Sequence, residues 1–263
     1  MTGQSPNPFK IAGRRDIDID ALSDEQLSDI GRDLYPVHAR IFSGVSQGEF
    51  ESYVLHSGAR ENRLRLFLNP AGETVGYCAV HFHDRKVDGR PARVMRAETG
   101  LLPDYRGKGA SFWFMQQAWR YKRRHPFTRL FYLGSVIHPS SYHLLAKYFP
   151  AIYPTAANEG HPRLQARALQ LAADFDLPAP REAANPLVRP VRWITREETG
   201  PVDPALAGRV DVKFFSERNP NHGQGLGLIV VIPMTFAVFA RAFRGPLTAI
   251  LLKRLGIRRR KRR

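Results

Sequence analysis

Hydrophobic and polar positions along the chain change period several times, and each change predicts an element. Ser23 to Leu34 reads as a first helix, with Ser23 as N-cap and Asp24 and Glu25 at its positive end. The helical pattern continues from Tyr35 to Ser57 around Phe42, Phe50 and Val54, with a break at Gly44 and Gly48. Asn62 to Leu68 has strand character, Asn69-Pro70-Ala71-Gly72 turns the chain, and Thr74 to Asp84 is the next strand. A turn at Asp88-Gly89 leads to a third strand, Arg93 to Leu102. Ala110 to His125 follows as a helix rich in aromatics, with Arg120, Lys122, Arg123 and Arg124 at its negative end and Pro126 ending it. Arg129 to Ile137 alternates as a strand, and Pro139 to Phe149 is a short helix.

The second half is less regular. Pro162 to Phe175 has helical periodicity, but prolines at 178, 180, 186, 190, 201 and 204 surround irregular chain. This stretch, about 154–208, reads as an insertion or lid beside an acceptor site. Val210 to Phe215 and Gly227 to Met234 are expected to pair as a closing hairpin across Asn219 to Gly223. Gly225 to Ala240 is apolar but shorter than the about 20 residues of a spanning helix. Its run Leu228 to Ile232 favours a buried strand. Thr235 to Arg244 and Pro246 to Leu255 read as two helical pieces broken at Gly245-Pro246.

The segment between the third strand and the aromatic helix carries the chemistry. Leu101-Leu102-Pro103-Asp104-Tyr105-Arg106-Gly107-Lys108-Gly109-Ala110-Ser111 joins a strand to a helix start through a basic glycine turn. Backbone N–H groups from Gly107 to Ser111 lack partners inside the helix, and the helix dipole adds positive character there. Arg106 contributes a bidentate fork and Lys108 a point charge, so the expected ligand is a phosphate or pyrophosphate. The turn has neither the spacing of an NTP-binding P-loop nor the three-glycine dinucleotide fingerprint.

These residues resemble the acyl-CoA pyrophosphate loop of the GNAT acetyltransferase superfamily. There a hydrophobic pair, a proline, an acid and an aromatic precede Arg/Gln-x-x-Gly-x-Gly/Ala; Ser111 stands where the pattern has Gly or Ala. His138 to Phe149 resembles a second family segment loosely. His138 replaces an asparagine, Leu145 takes the place of a tyrosine, and no glycine precedes Phe149.

The resemblance implies an α+β fold: a central, mixed, mostly antiparallel and splayed sheet flanked by helices. On that reading residues 1–22 are a flexible arm and 23–234 the acyltransferase domain. Residues 235–263 form an amphipathic helical extension with a basic tail. The implied activity is direct transfer of an acetyl or longer acyl group from CoA to an amine, small or lipid-like, without a metal. Leu101, Leu102, Arg106, Gly107, Lys108, Gly109, Ala110 and Ser111 would hold acyl-CoA, with backbone N–H groups around Leu101 and Leu102 polarising the thioester. Glu98 is the candidate base, and Tyr142 or Tyr148 the candidate acid.

Charge and composition bound the alternatives. The 263 residues carry Lys+Arg 40 against Asp+Glu 24, a net +16. Lys253, Arg254, Arg258, Arg259, Arg260, Lys261, Arg262 and Arg263 supply half of it. With the apolar face before it, such a tail suits an anionic membrane surface, an acidic partner or nucleic acid. Two other function classes therefore stay open: a catalytically silent CoA-binding protein at a membrane, and a basic nucleic-acid-binding module without sequence readout. A single cysteine, Cys78, and no apolar stretch in Met1 to Asp16 fit a reducing cytosol, with the inner membrane face as a peripheral site. His81 and His83 beside Asp84 lack a defined third metal ligand. Ser140 and Ser141 near His138 and His143 lack the context of a hydrolase nucleophile.

Overall fold

The computed structural model describes residues 10–106, 112–177, 185–191, 193–196 and 204–243. Its first half contains β1 (Gly13–Asp18), α1 (Asp24–Ile41), β2 (Phe42–Ser43), α2 (Gln47–Val54), β3 (Glu61–Leu68), β4 (Thr74–Val87) and β5 (Arg90–Leu101). Then follow α3 (Phe112–Arg124), β6 (Leu130–Val136), α4 (Pro139–Tyr148), α5 (Pro162–Asp174), β7 (Val188–Pro190), β8 (Ile194–Thr195), α6 (Pro204–Ala207), α7 (Val210–Arg218) and β9 (Leu226–Pro233). The fold is α+β. Its seven-stranded sheet has the order β1-β3-β4-β5-β6-β9-β7, with every neighbouring pair antiparallel except β5 and β6.

Strand parity assigns the helices to faces, because successive side chains point to opposite sides of a sheet. Tyr77 of β4 faces α1, where its hydroxyl meets His38 Nδ1 at 2.8 Å. Phe82, of opposite parity, stacks on Tyr121 of α3 at 4.5 Å between ring centroids. α1 starts at the expected N-cap: Ser23 and Gln26 exchange backbone hydrogen bonds as a capping box.

Two expectations need correction. Residues 13–18 are an edge strand, not part of a flexible arm. Its polar side chains obscured it, yet they pair across β3: Asp16 faces Arg65 and Asp18 faces Arg63, with Arg65 Nη2 donating to Asp16 Oδ2 at 2.7 Å. Val210 to Phe215 is helical, within α7, rather than a hairpin strand. Phe214 and Phe215 bury against Tyr142 of α4, at 5.9 and 5.5 Å, and Arg218 pairs with Glu159. The strand beside β9 is instead β7, drawn from the region read as an insertion. The helical piece expected over Thr235 to Arg244 is present over 236–243, and part of its apolar side packs on α3. Phe236, Phe239 and Phe243 ring Trp119 of α3 at 5.9, 5.3 and 5.7 Å, and Phe239 is fully buried. The second helical piece and the basic tail lie outside the described residues. Among the described residues no helix is long and apolar enough to cross a membrane.

Candidate active site

β5 and β6 pair only through Arg93↔Leu130, Val94↔Phe131 and Met95↔Tyr132, while β5 stays on β4 to Leu101 and β6 stays on β9 to Val136. The sheet therefore splits beyond Met95 and Tyr132. Arg93 N–H donates to Arg129 O at 2.8 Å, on the β6 side. Alternation then turns the backbone N–H and C=O of Ala97, Thr99 and Leu101 toward the same side, where no strand meets them. The split opens into a cleft of about 850 Å³. A site of that size, with apolar walls and a few convergent polar groups, suits an extended organic ligand.

One wall carries the start of the glycine turn. Pro103 to Tyr105 form a single 3-10 turn that buries Tyr105 and sends Arg106 back along the cleft. Arg106 Nε donates to Leu101 O at 3.3 Å, and burial lowers its pKa. Gly107, Lys108, Gly109, Ala110 and Ser111 lie outside the described residues. Leu101 lines the cleft as expected. Leu102 differs: its N–H donates to Val75 O at 3.0 Å, so it is committed to β4 and cannot polarise a carbonyl in the gap.

Glu98 lies on β5 with its side chain in the cleft, only 18% exposed. Its Oε1 accepts from the Tyr53 hydroxyl at 2.9 Å and stands 3.8 Å from Arg96 Nη2. Burial raises the carboxyl pKa, against the opposing pull of Arg96 and the Tyr53 hydrogen bond. The group is therefore a proton acceptor poised above the ordinary carboxylate range.

Neither tyrosine expected as the acid lines this cleft. Tyr142 is 1% exposed, and its hydroxyl donates to Pro154 O at 2.7 Å on the far side of α4. Tyr148 is half-buried at the end of α4, with Lys147 Nζ 5.3 Å from its ring. His138, Ser141 and Leu144 line the gap; helix phase turns Tyr142 away from it, whereas Tyr148, in phase with Ser141 and Leu144, lies a turn beyond them at the end of α4. The tyrosines in the cleft are Tyr53, which donates to Glu98, and Tyr132, at the last paired position before the strands part. Burial, followed by the nearby Glu98 charge, raises the Tyr132 hydroxyl pKa, so it stays protonated. Its ring lies along β6 over Gly134, where an added Cβ would meet the hydroxyl at 2.7 Å. Tyr132 reads locally as one more aromatic in an apolar strand. The bare Gly134 two residues on was the only signal that the side chain runs along the strand.

The opposite end is closed by the region read as a lid. Phe175, just past α5, packs edge-on to His83 at 4.9 Å, and Trp193 packs edge-on to Tyr53 at 4.9 Å. His81 and His83 line this end and are held neutral. Burial lowers His81 to about 3 and His83 to about 4; nearby positive groups add to both, and Asp20 opposes the shift at His81. Among the described residues no group of three or more His, Cys, Asp or Glu is placed to hold a metal. Cys78 is buried with its thiol pushed up to about 12 by burial, which removes it as a nucleophile. His138 and Ser140 serve α4: Ser140 N–H donates to His138 Nδ1 at 3.3 Å as an N-cap.

No protein-family model and no curated protein matches the chain. Solved structures similar to it include N-acetyltransferases. A ribosomal-protein-alanine N-acetyltransferase from Brucella melitensis biovar Abortus 2308 is 12% identical, covering 52% of this chain and 90% of that one, with a TM-score of 0.35. An aminoglycoside 6'-N-acetyltransferase from Acinetobacter baumannii is 14% identical over 51% of this chain and 88% of that one, with a TM-score of 0.36. A GNAT-family N-acetyltransferase from Escherichia coli, solved in complex with CoA, is 16% identical over 54% and 70%, with a TM-score of 0.33.

Proposed function

We propose that this chain is a GNAT-type acyltransferase that moves an acyl group directly from CoA to an amine. The observation that carries the reading is the split between β5 and β6, which exposes unpaired β5 backbone and a buried carboxyl of raised pKa in one cleft. The sequence that follows β5 carries the glycine turn expected to take an anion, and Arg106, the last described residue before it, reaches back to Leu101 O.

An acyl-CoA supplies the activated carbonyl as a thioester; every other part belongs to the protein. The β5 backbone N–H groups facing the gap, Leu101 above all, polarise that carbonyl. Glu98 removes a proton from the acceptor ammonium and frees its lone pair. As the C–N bond forms and the C–S bond breaks, Tyr132 gives its proton to the departing sulfur. The nitrogen sheds its second proton as the amide forms, so one proton leaves per turnover. Holding the two reactants side by side removes much of the entropic barrier.

Calorimetry with acetyl-CoA tests the reading directly, comparing the native chain with Arg106→Ala/Gly109→Asp. The expected result is binding by the native chain that the double change abolishes. Absence of binding to acetyl-CoA and to longer acyl-CoAs overturns it. Binding without thiol release across a panel of amines would instead make the chain a CoA-binding protein without catalysis.

A further inference from the structure

The acceptor end of the cleft holds a guanidinium that the acyl-transfer scheme above does not use. Arg96 lies two residues before Glu98 on the same face of β5 and opposite His81 on β4. It is only 6% exposed, lines the cleft, and its Nε has no hydrogen-bond partner. Its guanidinium carbon stands 5.8 Å from the ring centre of Tyr53 and 5.3 Å from that of Phe175, so aromatic groups flank the cation.

Burial opposes this cation, and Tyr53 and Glu98 offset it and raise the guanidinium pKa, so the cation leans on Glu98 for its nearest full negative charge. Glu98 stands at 3.8 Å, beyond hydrogen-bond distance, and shares the same Oε1 with Tyr53. His81 and His83, the titratable groups nearest on β4, are neutral imidazoles. Asn62 Nδ2 donates to Asp20 Oδ1 and Ala59 O, which leaves its Oδ1 to accept from His81 Nδ1. That fixes the tautomer and leaves His81 Nε2 as a lone-pair acceptor. From β4, Arg85 adds a second guanidinium, 4.4 Å from the Phe175 ring. Asp174 and Asp176, at the end of α5, also line the cleft but are exposed. When Glu98 takes a proton during turnover, its charge is lost and the buried guanidinium is stranded. A buried cation without a partner is strongly unfavourable. An anion delivered with the acceptor resolves this.

We propose that Arg96 is the anchor for a carboxylate on the acceptor, so that the substrate is an amino-acid-like amine. The guanidinium takes the carboxylate by charge-assisted hydrogen bonds, and the amine of the same molecule falls beside Glu98. A carboxylate fits better than a phosphate monoester because one planar fork between two rings offers few donors for a doubly charged group. Phe175 covers the guanidinium and shifts aside as the carboxylate enters. The assignment rests on the acyltransferase reading and adds the substrate class to it.

The test uses the full chain saturated with CoA and, as probes, the N-acetyl derivatives of glycine, phenylalanine, lysine and glutamate. Each is compared by calorimetry with its N-methylamide, and O-phosphoethanolamine is included as a phosphate probe. At least one carboxylate should bind about tenfold or more tighter than its amide. Arg96→Gln should bring that ratio to about one and leave CoA binding unchanged. Should Arg96→Gln fail to fold, Arg96→Lys, which keeps the charge and loses the fork, should narrow the ratio. Equal binding of acid and amide by the native chain overturns the inference, as does an unchanged ratio in a folded variant. Preference for the phosphate, or no probe bound while CoA binds, overturns it too. Failure of CoA to bind overturns the acyltransferase reading first and this one with it.

Discussion

Acidification should unfold this protein through buried imidazoles, and His81 gives the largest single effect. In the fold its pKa is held at about 3, first by burial and then by His83 and Arg96, with Asp20 opposing. In the unfolded chain it returns to the ordinary histidine value of 6.5. A histidine depressed in the fold contributes stability fully above the unfolded pKa, and that stability is lost as pH falls toward the folded value. Between about pH 7 and about pH 5 the unfolded chain gains about 0.7 of a proton at this site and the folded chain gains almost none. Integrating gives about 2 kcal/mol lost, with a slope approaching about 1.4 kcal/mol per pH unit. That is a large share of an ordinary domain's about 5–15 kcal/mol. His38 and His83, each lowered to about 4 by burial, act in the same direction, whereas the raised Glu98 acts against them. Urea unfolding followed by tryptophan fluorescence across this range, for the native chain and His81→Gln, separates the contributions. The glutamine keeps a donor for Asn62 Oδ1 and removes the titration. Parallel stability curves for the two proteins would refute the assignment of a buried neutral imidazole.

Glu98→Gln should lower kcat by about 10²–10⁴, the usual range for loss of a general base. In the native enzyme log(kcat/KM) should rise with pH through an apparent pKa above the ordinary carboxylate value, because the base must be ionised. A pH profile of thiol release that keeps this limb in the variant would assign it to another group. Phe239→Ala should cost about 3–5 kcal/mol in unfolding free energy, since the ring is fully buried against Trp119. Phe236→Ala, at a 43% exposed ring, should cost far less. Equal, small losses in denaturant midpoint would show that the helical segment 236–243 does not dock on α3.

Local pattern was enough for most elements of the sheet. β3, β4, β5, β6 and β9 announce themselves through apolar runs bounded by turn residues, and α1 through its N-cap Ser23 and the acids that follow it. Glu98 could be singled out from the sequence because it sits on the strand that enters the glycine turn. Other features depended on partners distant in sequence. β1 is polar on its solvent side and becomes a strand only because Arg63 and Arg65 stand opposite Asp18 and Asp16. Val210, Val212 and Phe214 alternate like a strand, yet α7 forms because Tyr142 offers its phenylalanines an apolar face. Leu102 lost its expected role to a backbone bond with Val75.

The sequence by itself determined the order of most helices and strands and the strand that carries the carboxyl, because propensity, capping and turn chemistry act over a few neighbouring residues. Only the tertiary structure decided that β5 and β6 part after Met95 and Tyr132, and that Tyr132 rather than Tyr142 faces the gap. It alone brought Arg96, Tyr53, Phe175 and Trp193 around Glu98. Those facts depend on which strand ends without a neighbour and on the phase of helices packed from far along the chain. Burial then acts on them, raising Glu98 and silencing His81, through desolvation that no local pattern encodes.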